Sequence, residues 1–340
     1  MKVAIVGITG VVGETILRVL EERKVVIDRL DLFASRARTE SVAFRGKSLP
    51  IAAATSEALR SGGYDVVFFA SSDDASADLA PACLESGARV IDNSSTYRMA
   101  DGVPLVVPEV NADAISPSDN LFPVANCTAI VLVVGIAPIH RAVGLKSVRV
   151  ATYQAVSGAG RAGLDVLASE ESAALGAAPK NGNAASPFVA PIFRNVVPQI
   201  GSLDERGDSG EEKKVAAETR KMLGAPDLHV AATTVRVPVR AAHSEAVFIE
   251  TLRDTSVEEL ARAFESAPGV VFHRDGIVTP RDVEGGDLVH VARLRAEEGS
   301  KRHFQLWIVG DQLRKGAATN GVQILELLVE RGYVGRGARV

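Results

Sequence analysis

Residues 3–17, VAIVGITGVVGETIL, run from a β-branched apolar segment through three evenly spaced glycines into an amphipathic segment. Few folds are open to a chain that begins this way. The pattern is a buried strand, a tight turn and a helix, the opening of a βαβ unit. It recurs through the first third. KVAIVG (2–7), RLDLFAS (29–35), DVVFFAS (65–71), RVIDNS (89–94) and PLVVPEV (104–110) read as strands, and VGETILRVLEER (12–23) and DDASADLAPACLESGA (73–88) as helices. Such alternation predicts a doubly wound, Rossmann-type α/β domain, a parallel sheet with helices on both faces.

From about residue 145 the pattern changes. KSVRVATYQAVSG (146–158), HVAATTVRVPVR (229–240), SEAVFIETL (244–252), DLVHVARLRA (287–296) and RHFQLWIVG (302–310) are strand-like, with few crossover helices between them. One helix is expected in SVEELARAFESA (256–267), with Ser256 as N-cap and Glu259 at the capping-box position. This predicts a mixed or antiparallel sheet and an α+β second domain. A length of 340 residues is more than one core usually supports. The expected division is a first domain over 1–127, joined by a C-terminal helix in 315–340, and a second over 128–314. The stretches 175–187 and 201–212, rich in Gly, Ser and Asp, read as surface loops.

The balance of 38 basic and 42 acidic residues, net −4, does not suit a polyanion partner, and EEKKVAAETRK (211–221) mixes both signs as a solvated helix face does. No aromatic-basic interleaving suggests nucleic acid. Two cysteines cannot make a disulfide framework for this length and favour a reducing compartment. The apolar start is followed at once by Glu14 with no small-residue cleavage site, which opposes a signal peptide. The longest apolar run, AIVLVVGIAPI (129–139), is too short to span a bilayer. The expectation is a soluble, cytoplasmic protein without a membrane partner.

Gly7, Gly10 and Gly13 fall between strand and helix, where glycines let backbone approach a pyrophosphate and the helix N-terminus offers N–H groups and a partial positive charge. The second strand ends in FASRAR (33–38). Ser35, Arg36 and Arg38 offer a hydroxyl and cations, which suit a ribose 2′-phosphate, whereas a carboxylate there would suit a free 2′-OH. Asp31 lies inside the strand and is expected to point elsewhere. The expected cofactor is therefore NADP. The short-chain dehydrogenases, which share this glycine spacing, require Tyr-x-x-x-Lys, and none of the tyrosines 64, 97, 153 and 333 has a lysine four residues on.

VANCTAIVLVVG (124–135) sets Cys127 against a long apolar run. A thiol in such a segment is usually a small buried hydrophobe, and Cys83, in mid-helix among Ala and Leu, reads that way. The residues after Cys127 look helical, so its thiol would stand at a helix N-terminus, where the dipole favours thiolate. A cysteine nucleophile beside a nicotinamide points to aldehyde oxidation through a thioester. The six histidines show no ligand spacing, and no metal is expected.

The segments GITGVVG (7–13), VIDNSSTYRM (90–99), VVPEVN (106–111), NCTA (126–129), YQAVSGAGRAG (153–163), VVPQIG (196–201), EEKK (211–214), VRVPVRAAHSEAV (235–247) and RKGAATNGVQI (314–324) occur in that order over nearly the whole chain. In this the sequence resembles the aspartate-semialdehyde dehydrogenases. The resemblance implies NADP-dependent, phosphate-requiring interconversion of aspartate semialdehyde and aspartyl phosphate, on the route to lysine, diaminopimelate, methionine and threonine, by a homodimer. It makes Cys127 the acyl-thioester nucleophile and His243 the general acid/base. It also implies that Gln154 orients the bound substrate beside Asn126, Arg236 holds its carboxylate, Glu211 partners its ammonium, and Arg98 and Lys214 bind phosphate. Thr9, Gly10, Val11 and Val12, with Ser157, Gly158 and Asn320, match positions that meet the cofactor.

From the residues alone, Glu211 and Lys214 stand i, i+3 on a helix face, as one ligand's partners or as a surface ion pair. His243, between two strand-like runs, reads as structural or catalytic, and Arg236 in an alternating strand could simply face solvent. Two positions depart from the family pattern. Ala125 stands where proline usually precedes Asn-Cys, and Ala37 separates Arg36 and Arg38, so which arginine meets the 2′-phosphate is open. Two other readings compete: an N-acetyl-glutamyl-phosphate reductase, whose cysteine usually lies in Gly-Cys-Tyr, and a catalytically silent NADP-binding paralogue, which would be free to lose Cys127 or His243.

Overall fold

In the computed structural model of the protein, residues 1–176 and 186–335 are described. Most of the surface loop expected at 175–187, and the last residues of the expected C-terminal helix, lie outside the described residues. The chain divides into two units: Met1–Ala125 with the segment from Ala317 onward, and Asn126–Gly316.

The first unit runs β1 (Lys2–Val6), α1 (Val11–Glu22), β2 (Arg29–Ala34), β3 (Ser41–Phe44), β4 (Lys47–Ala53), α2 (Ser56–Ser61), β5 (Val66–Phe69), α3 (Asp73–Glu85), β6 (Arg89–Asp92), α4 (Pro108–Asn111) and β7 (Leu121–Pro123). Its seven strands lie in the order β3-β4-β2-β1-β5-β6-β7. All pair in parallel except β3 with β4. Val3–Ile5 and Val66–Phe69 are fully buried, as strands covered on both faces must be. The sheet grows outward in both directions from β1 and β5. The crevice at the carboxyl ends of those two strands is the place where such sheets bind ligands.

Two parts of this unit differ from the sequence reading. PLVVPEV is not a strand. Pro108 occupies the first turn of α4, and the Asn111 side chain accepts from Val107 N (2.8 Å) and donates to Leu105 O (2.9 Å), using backbone groups that a ladder would need. The seventh strand is instead the short β7, next to β6. The β3–β4 hairpin turns at Arg45 (φ 48°) and Gly46 (φ 74°), both left-handed, and Arg-Gly is a weaker signal than Asn-Gly for such a turn.

The second unit contains α5 (Cys127–Val143), β8 (Leu145–Gln154), α6 (Gly160–Ala174), α7 (Gly210–Leu223), β9 (His229–Arg236), β10 (His243–Thr251), α8 (Val257–Arg262), β11 (Val270–Phe272), α9 (Pro280–Val283), β12 (Val289–Ala296) and β13 (His303–Gly310). The strand order is β11-β12-β13-β10-β8-β9. The central pairs are antiparallel and the two outermost parallel, so the sheet is mixed. One face is covered by α5, whose residues Thr128–Ile139 are almost all fully buried. Asn126 caps α5 by accepting from Ala129 N (3.0 Å), and Gly144 (φ 71°) ends it. No helix among the described residues is long and apolar enough to cross a membrane.

A last helix, α10 (Thr319–Glu330), returns to the first unit and packs on α1, α4 and β6. Its Gln323 donates to Glu109 (2.8 Å), and Glu326 pairs with Arg23 (2.6 Å).

Candidate active site

In the mixed sheet, one rung of neighbouring residues carries most of the chemistry. Gln154 on β8 lies beside Arg236 on β9, and His243 opens β10, opposite Gly310 on β13. Because side chains alternate along a strand, His243, Gln154 and Arg236 project from the face that α5 covers. They are exposed by 0%, 1% and 5%. Asn126 and Cys127 begin α5, so the helix places the thiol over this rung, and Cys127 Sγ stands 3.6 Å from His243 Nε2.

Backbone fixes the histidine. Ala155 N donates to His243 Nδ1 at 3.1 Å, so Nδ1 is an acceptor and the proton of the neutral ring sits on Nε2, facing the sulfur. Burial, reinforced by the Arg236 charge, holds His243 well below the usual imidazole pKa, so the ring is neutral around pH 7. Arg236 donates through Nη1 to Ala155 O (2.6 Å), and its guanidinium lies 5.9 Å from the Phe188 ring. Burial lowers its pKa, while Cys127 and Glu211 act in the opposite direction. The rest of its planar fork meets no acceptor among the described residues, which suits a carboxylate.

Glu211 turns inward from the first turn of α7. Its Oε1 accepts from Asn126 Nδ2 (3.0 Å) and Gln154 Nε2 (3.1 Å). Lys214, one turn on, is exposed. Gly158 is part of this cluster. A Cβ there would lie 2.7 Å from Arg236 Nη1 and 3.4 Å from His243 Nε2, so only glycine leaves both side chains in place. Ser157 accepts from Gln312 Nε2 (2.5 Å) and donates to Arg240 O, so its hydroxyl braces the loop.

Two participants were missed from the sequence. Glu218 accepts from the backbone N–H of Asn126, tying α7 to the start of α5. Glu211 and Glu218 are seven residues apart, two turns, and that spacing was the available signal. Gly316 passes so close to Cys127 that a Cβ would lie 3.1 Å from the cysteine's own, and nothing short of the fold reveals that approach.

The first unit holds a separate cleft of about 480 Å³ at the carboxyl ends of β1 and β5, lined by Gly7, Thr9, Gly10, Ser35, Ser72 and Asp78 among others. That volume lies in the range of small-molecule sites. Gly7 (φ 92°) would put a Cβ 2.3 Å from Ala70 O, and Gly13 one 2.4 Å from Gly7 O, so both are demanded by the protein's own packing. Gly10 is different. A Cβ there meets nothing closer than 3.4 Å, and its place on the cleft wall leaves the missing side chain as room for a ligand. Val11 and Val12 begin α1, capped by no side chain. Asp31, as expected, points elsewhere, accepting from Tyr64 (2.6 Å) and pairing with Arg29 (2.5 Å). Arg36 and Arg38 follow Ser35 and are exposed. Arg98 Nη2 donates to Asn93 O (2.9 Å), and Asn320 Nδ2 to Val106 O (2.9 Å). Among the described residues no cluster of His, Cys, Asp and Glu could hold a metal ion.

Comparison with known proteins bears on this arrangement. The family described as semialdehyde dehydrogenase, NAD binding domain, matches residues 2–118, and semialdehyde dehydrogenase, dimerisation domain, matches 136–315. The aspartate-semialdehyde dehydrogenase of Bacillus subtilis (strain 168) is 39% identical over 98% of this chain and 99% of its own length. That of Aquifex aeolicus (strain VF5) is 40% identical over 98% and 99%. The chain belongs to the aspartate-semialdehyde dehydrogenases. Its fold agrees: the crystal structure of aspartate semialdehyde dehydrogenase II from Vibrio cholerae superposes with a TM-score of 0.90 at 38% identity, covering 97% of this chain and 98% of that one. The same protein has been solved complexed with ASA, with the same agreement. The chain is thus an oxidoreductase of amino-acid biosynthesis, with an NAD-binding domain and a dimerisation domain.

Proposed function

We propose that the enzyme interconverts L-aspartate 4-semialdehyde and L-aspartyl 4-phosphate, using inorganic phosphate and NADP, through a thioester on Cys127. The observation that carries this reading is the thiol at the start of α5, 3.6 Å from His243 Nε2, among groups suited to an amino acid. Arg236 suits the substrate carboxylate with its fork, and Glu211, whose Oε2 takes no hydrogen bond from the described residues, suits the ammonium. Arg98 and Lys214 are the cations we assign to phosphate.

The N-terminus of α5 stabilises the thiolate that attacks the carbonyl carbon. The resulting alkoxide needs a donor, and the Nε2 proton of His243 is already on that side of the ring. His243 therefore acts first as a hydrogen-bond donor to that oxygen and keeps its own proton. Becoming a cation would break the Ala155 N–H bond to Nδ1 and add a charge beside Arg236. After thioester formation, phosphate attacks the acyl carbon and Cys127 leaves as thiolate. The nicotinamide cofactor, held at the glycine turn, would supply the two-electron chemistry, as hydride acceptor in one direction and hydride donor in the other.

Support for the cofactor comes from the glycine turn, whose middle residue leaves room on the cleft wall, with Gly7 and Gly13 packing the turn. Ser35, Arg36 and Arg38 suit a 2′-phosphate and carry the choice of NADP over NAD. Thr9, Val11, Val12, Ser157, Gly158 and Asn320 are further positions assigned to cofactor binding. A homodimer is supported by the matched dimerisation domain and by the sheet face away from α5, where Tyr153 and Phe248 are 39% and 38% exposed and Tyr153 packs on Trp307 at 5.6 Å. A cytoplasmic setting fits a biosynthetic enzyme whose two cysteines are in no disulfide.

The test is phosphate-dependent reduction of NADP by aspartate semialdehyde, with the N-acetylated glutamate analogue and NAD as comparisons. Turnover of the semialdehyde with NADP is expected. Turnover of the glutamate analogue alone would overturn the substrate, and a preference for NAD would overturn the role of the arginines.

A further inference from the structure

One rung below His243, Gln154 and Arg236, the sheet carries a second polar row that catalysis by the thiol and imidazole does not use. Glu245 on β10 is paired with Thr152 on β8 and with Ile308 on β13, and Thr152 lies beside Thr234 on β9. Ile308 faces Gly135 of α5, so Glu245, directly across from it, faces the same helix. Glu245, Thr152 and Thr234 are all 0% exposed, and the next rung, with Val247 and Val150, is apolar. Neither carboxyl oxygen of Glu245 has a hydrogen-bond partner among the described residues. Burial alone pushes its pKa well above the usual carboxylate value, so it sits there as a neutral acid.

An unsatisfied buried carboxyl group destabilises a fold, and an apolar side chain of the same length would be better tolerated. Such a group concentrates where function requires it. The polar atom directly across the ladder is Thr152 Oγ1. It donates to Gln154 Oε1 (3.0 Å) and accepts from Val235 N (3.4 Å). The Gln154 amide is turned by that bond so that Nε2 faces Glu211 (3.1 Å) and His243 Nε2 (3.5 Å).

We propose that Glu245 is a positioning residue for the reaction: with its side chain rotated onto the Thr152 hydroxyl, it holds that hydroxyl on Gln154 and thereby fixes the amide beside the reacting carbon. A neutral acid can offer Thr152 a proton and leave the threonine's own proton for Gln154. A carboxylate is acceptor-only and would draw that proton away. Opposed residues on an antiparallel ladder have Cβ atoms about 4.5–5.5 Å apart, within reach of a glutamate by rotation of its side chain.

The proposal rests on the semialdehyde reaction given above, and its test takes wild-type turnover as the reference. If wild type does not turn over aspartate semialdehyde, the reaction is wrong; the proposal is judged on variants of an active enzyme. Three are compared by kcat, KM and Tm. Glu245→Met removes the orphan carboxyl and should raise Tm while lowering kcat roughly three- to tenfold, the fold-change that goes with one net hydrogen bond. KM for the semialdehyde should stay within about twofold, since the interaction orients a bound group. Glu245→Gln keeps a donor that cannot ionise and should restore kcat to within about twofold of wild type. Thr152→Val should lower kcat like Glu245→Met, and the double variant should be no worse than Thr152→Val alone. A Glu245→Met enzyme with raised Tm and unchanged kcat would overturn the proposal. So would additive losses in the double variant, or a Thr152→Val enzyme with wild-type kcat, a measurement that stands even if Glu245→Met fails to fold.

Discussion

Cys83 and Cys127 show how little residue type decides. Cys83 lies in the middle of α3, inside an apolar cluster with Leu59, Tyr64, Ala80 and Val90. Among the described residues its sulfur reaches only the carbonyl of Leu79, one turn back (3.6 Å), and burial pushes its pKa up to about 12. Cys127 begins its helix, is partly accessible, and has an imidazole nitrogen 3.6 Å away with a guanidinium and a carboxylate close by. One thiol fills space. The other is placed at a helix end where charge can develop. The difference lies in position along the helix and in what the neighbouring sheet presents.

The largest effect should follow from exchanging these environments by mutation. Cys127→Ala should abolish turnover while leaving NADP binding intact, measured by steady-state rates and cofactor titration. Cys83→Ala should leave kcat unchanged and cost about 1 kcal/mol of stability, as deletion of a small buried group does. Loss of activity in both variants would break the comparison.

Next in size is the neighbour that distinguishes the two thiols. His243→Asn should lower kcat by about 10²–10⁴-fold with a smaller change in KM, the usual worth of a positioned acid/base group. Wild-type kcat in that variant would remove the histidine from the chemistry.

The charged groups should sort by ligand. Arg236→Lys keeps the charge and loses the bidentate fork, so KM for the semialdehyde should rise, with a smaller change for phosphate. Lys214→Met should do the reverse. Each charge-assisted contact is worth roughly 1.5–3 kcal/mol, about 10–150-fold. If both variants weaken both ligands equally, the two groups share no such division. Gly158→Ala should have a smaller effect in the same direction as Arg236→Lys, because the added methyl must displace Arg236 Nη1 from 2.7 Å.

The pH dependence of alkylation sharpens the comparison at its weakest point. The Cys83 thiol is raised to about 12, so in the folded enzyme it stays protonated through neutral and moderately alkaline pH and should resist iodoacetamide. Cys127 should react at neutral pH. The unfolded chain ionises Cys83 at much lower pH than the folded one does, so folding opposes that ionisation, and the group's contribution to stability falls as pH rises above the unfolded thiol value of about 8.5. Labelling at Cys83 should therefore appear only with urea or strong alkali.

Much of this could be read from the chain. The β1 turn and α1 are local patterns, a strand period of 2 giving way to a helical period, and the glycines mark the change. Cys127 was legible because Asn-Cys-Thr announces a helix start just where an apolar run begins. His243, Arg236 and Gln154 were read from resemblance, since their meeting depends on the register of β8, β9 and β10, a non-local pairing that no short window contains. The same is true of Glu245. Only the pairing with Thr152 and Ile308 shows that it faces α5. PLVVPEV failed for a local reason that was visible, its two prolines. The missed Arg-Gly hairpin failed because left-handed arginine is rare.

The central claim is that the thiol at the start of α5 carries the substrate. Incubating the enzyme with aspartate semialdehyde and NADP without phosphate, quenching in acid and mapping peptides by mass spectrometry tests it directly. One aspartyl adduct is expected, on Cys127, and it should disappear when phosphate is added before the quench. An adduct on Cys83 or any other residue, or turnover by Cys127→Ala, would contradict it.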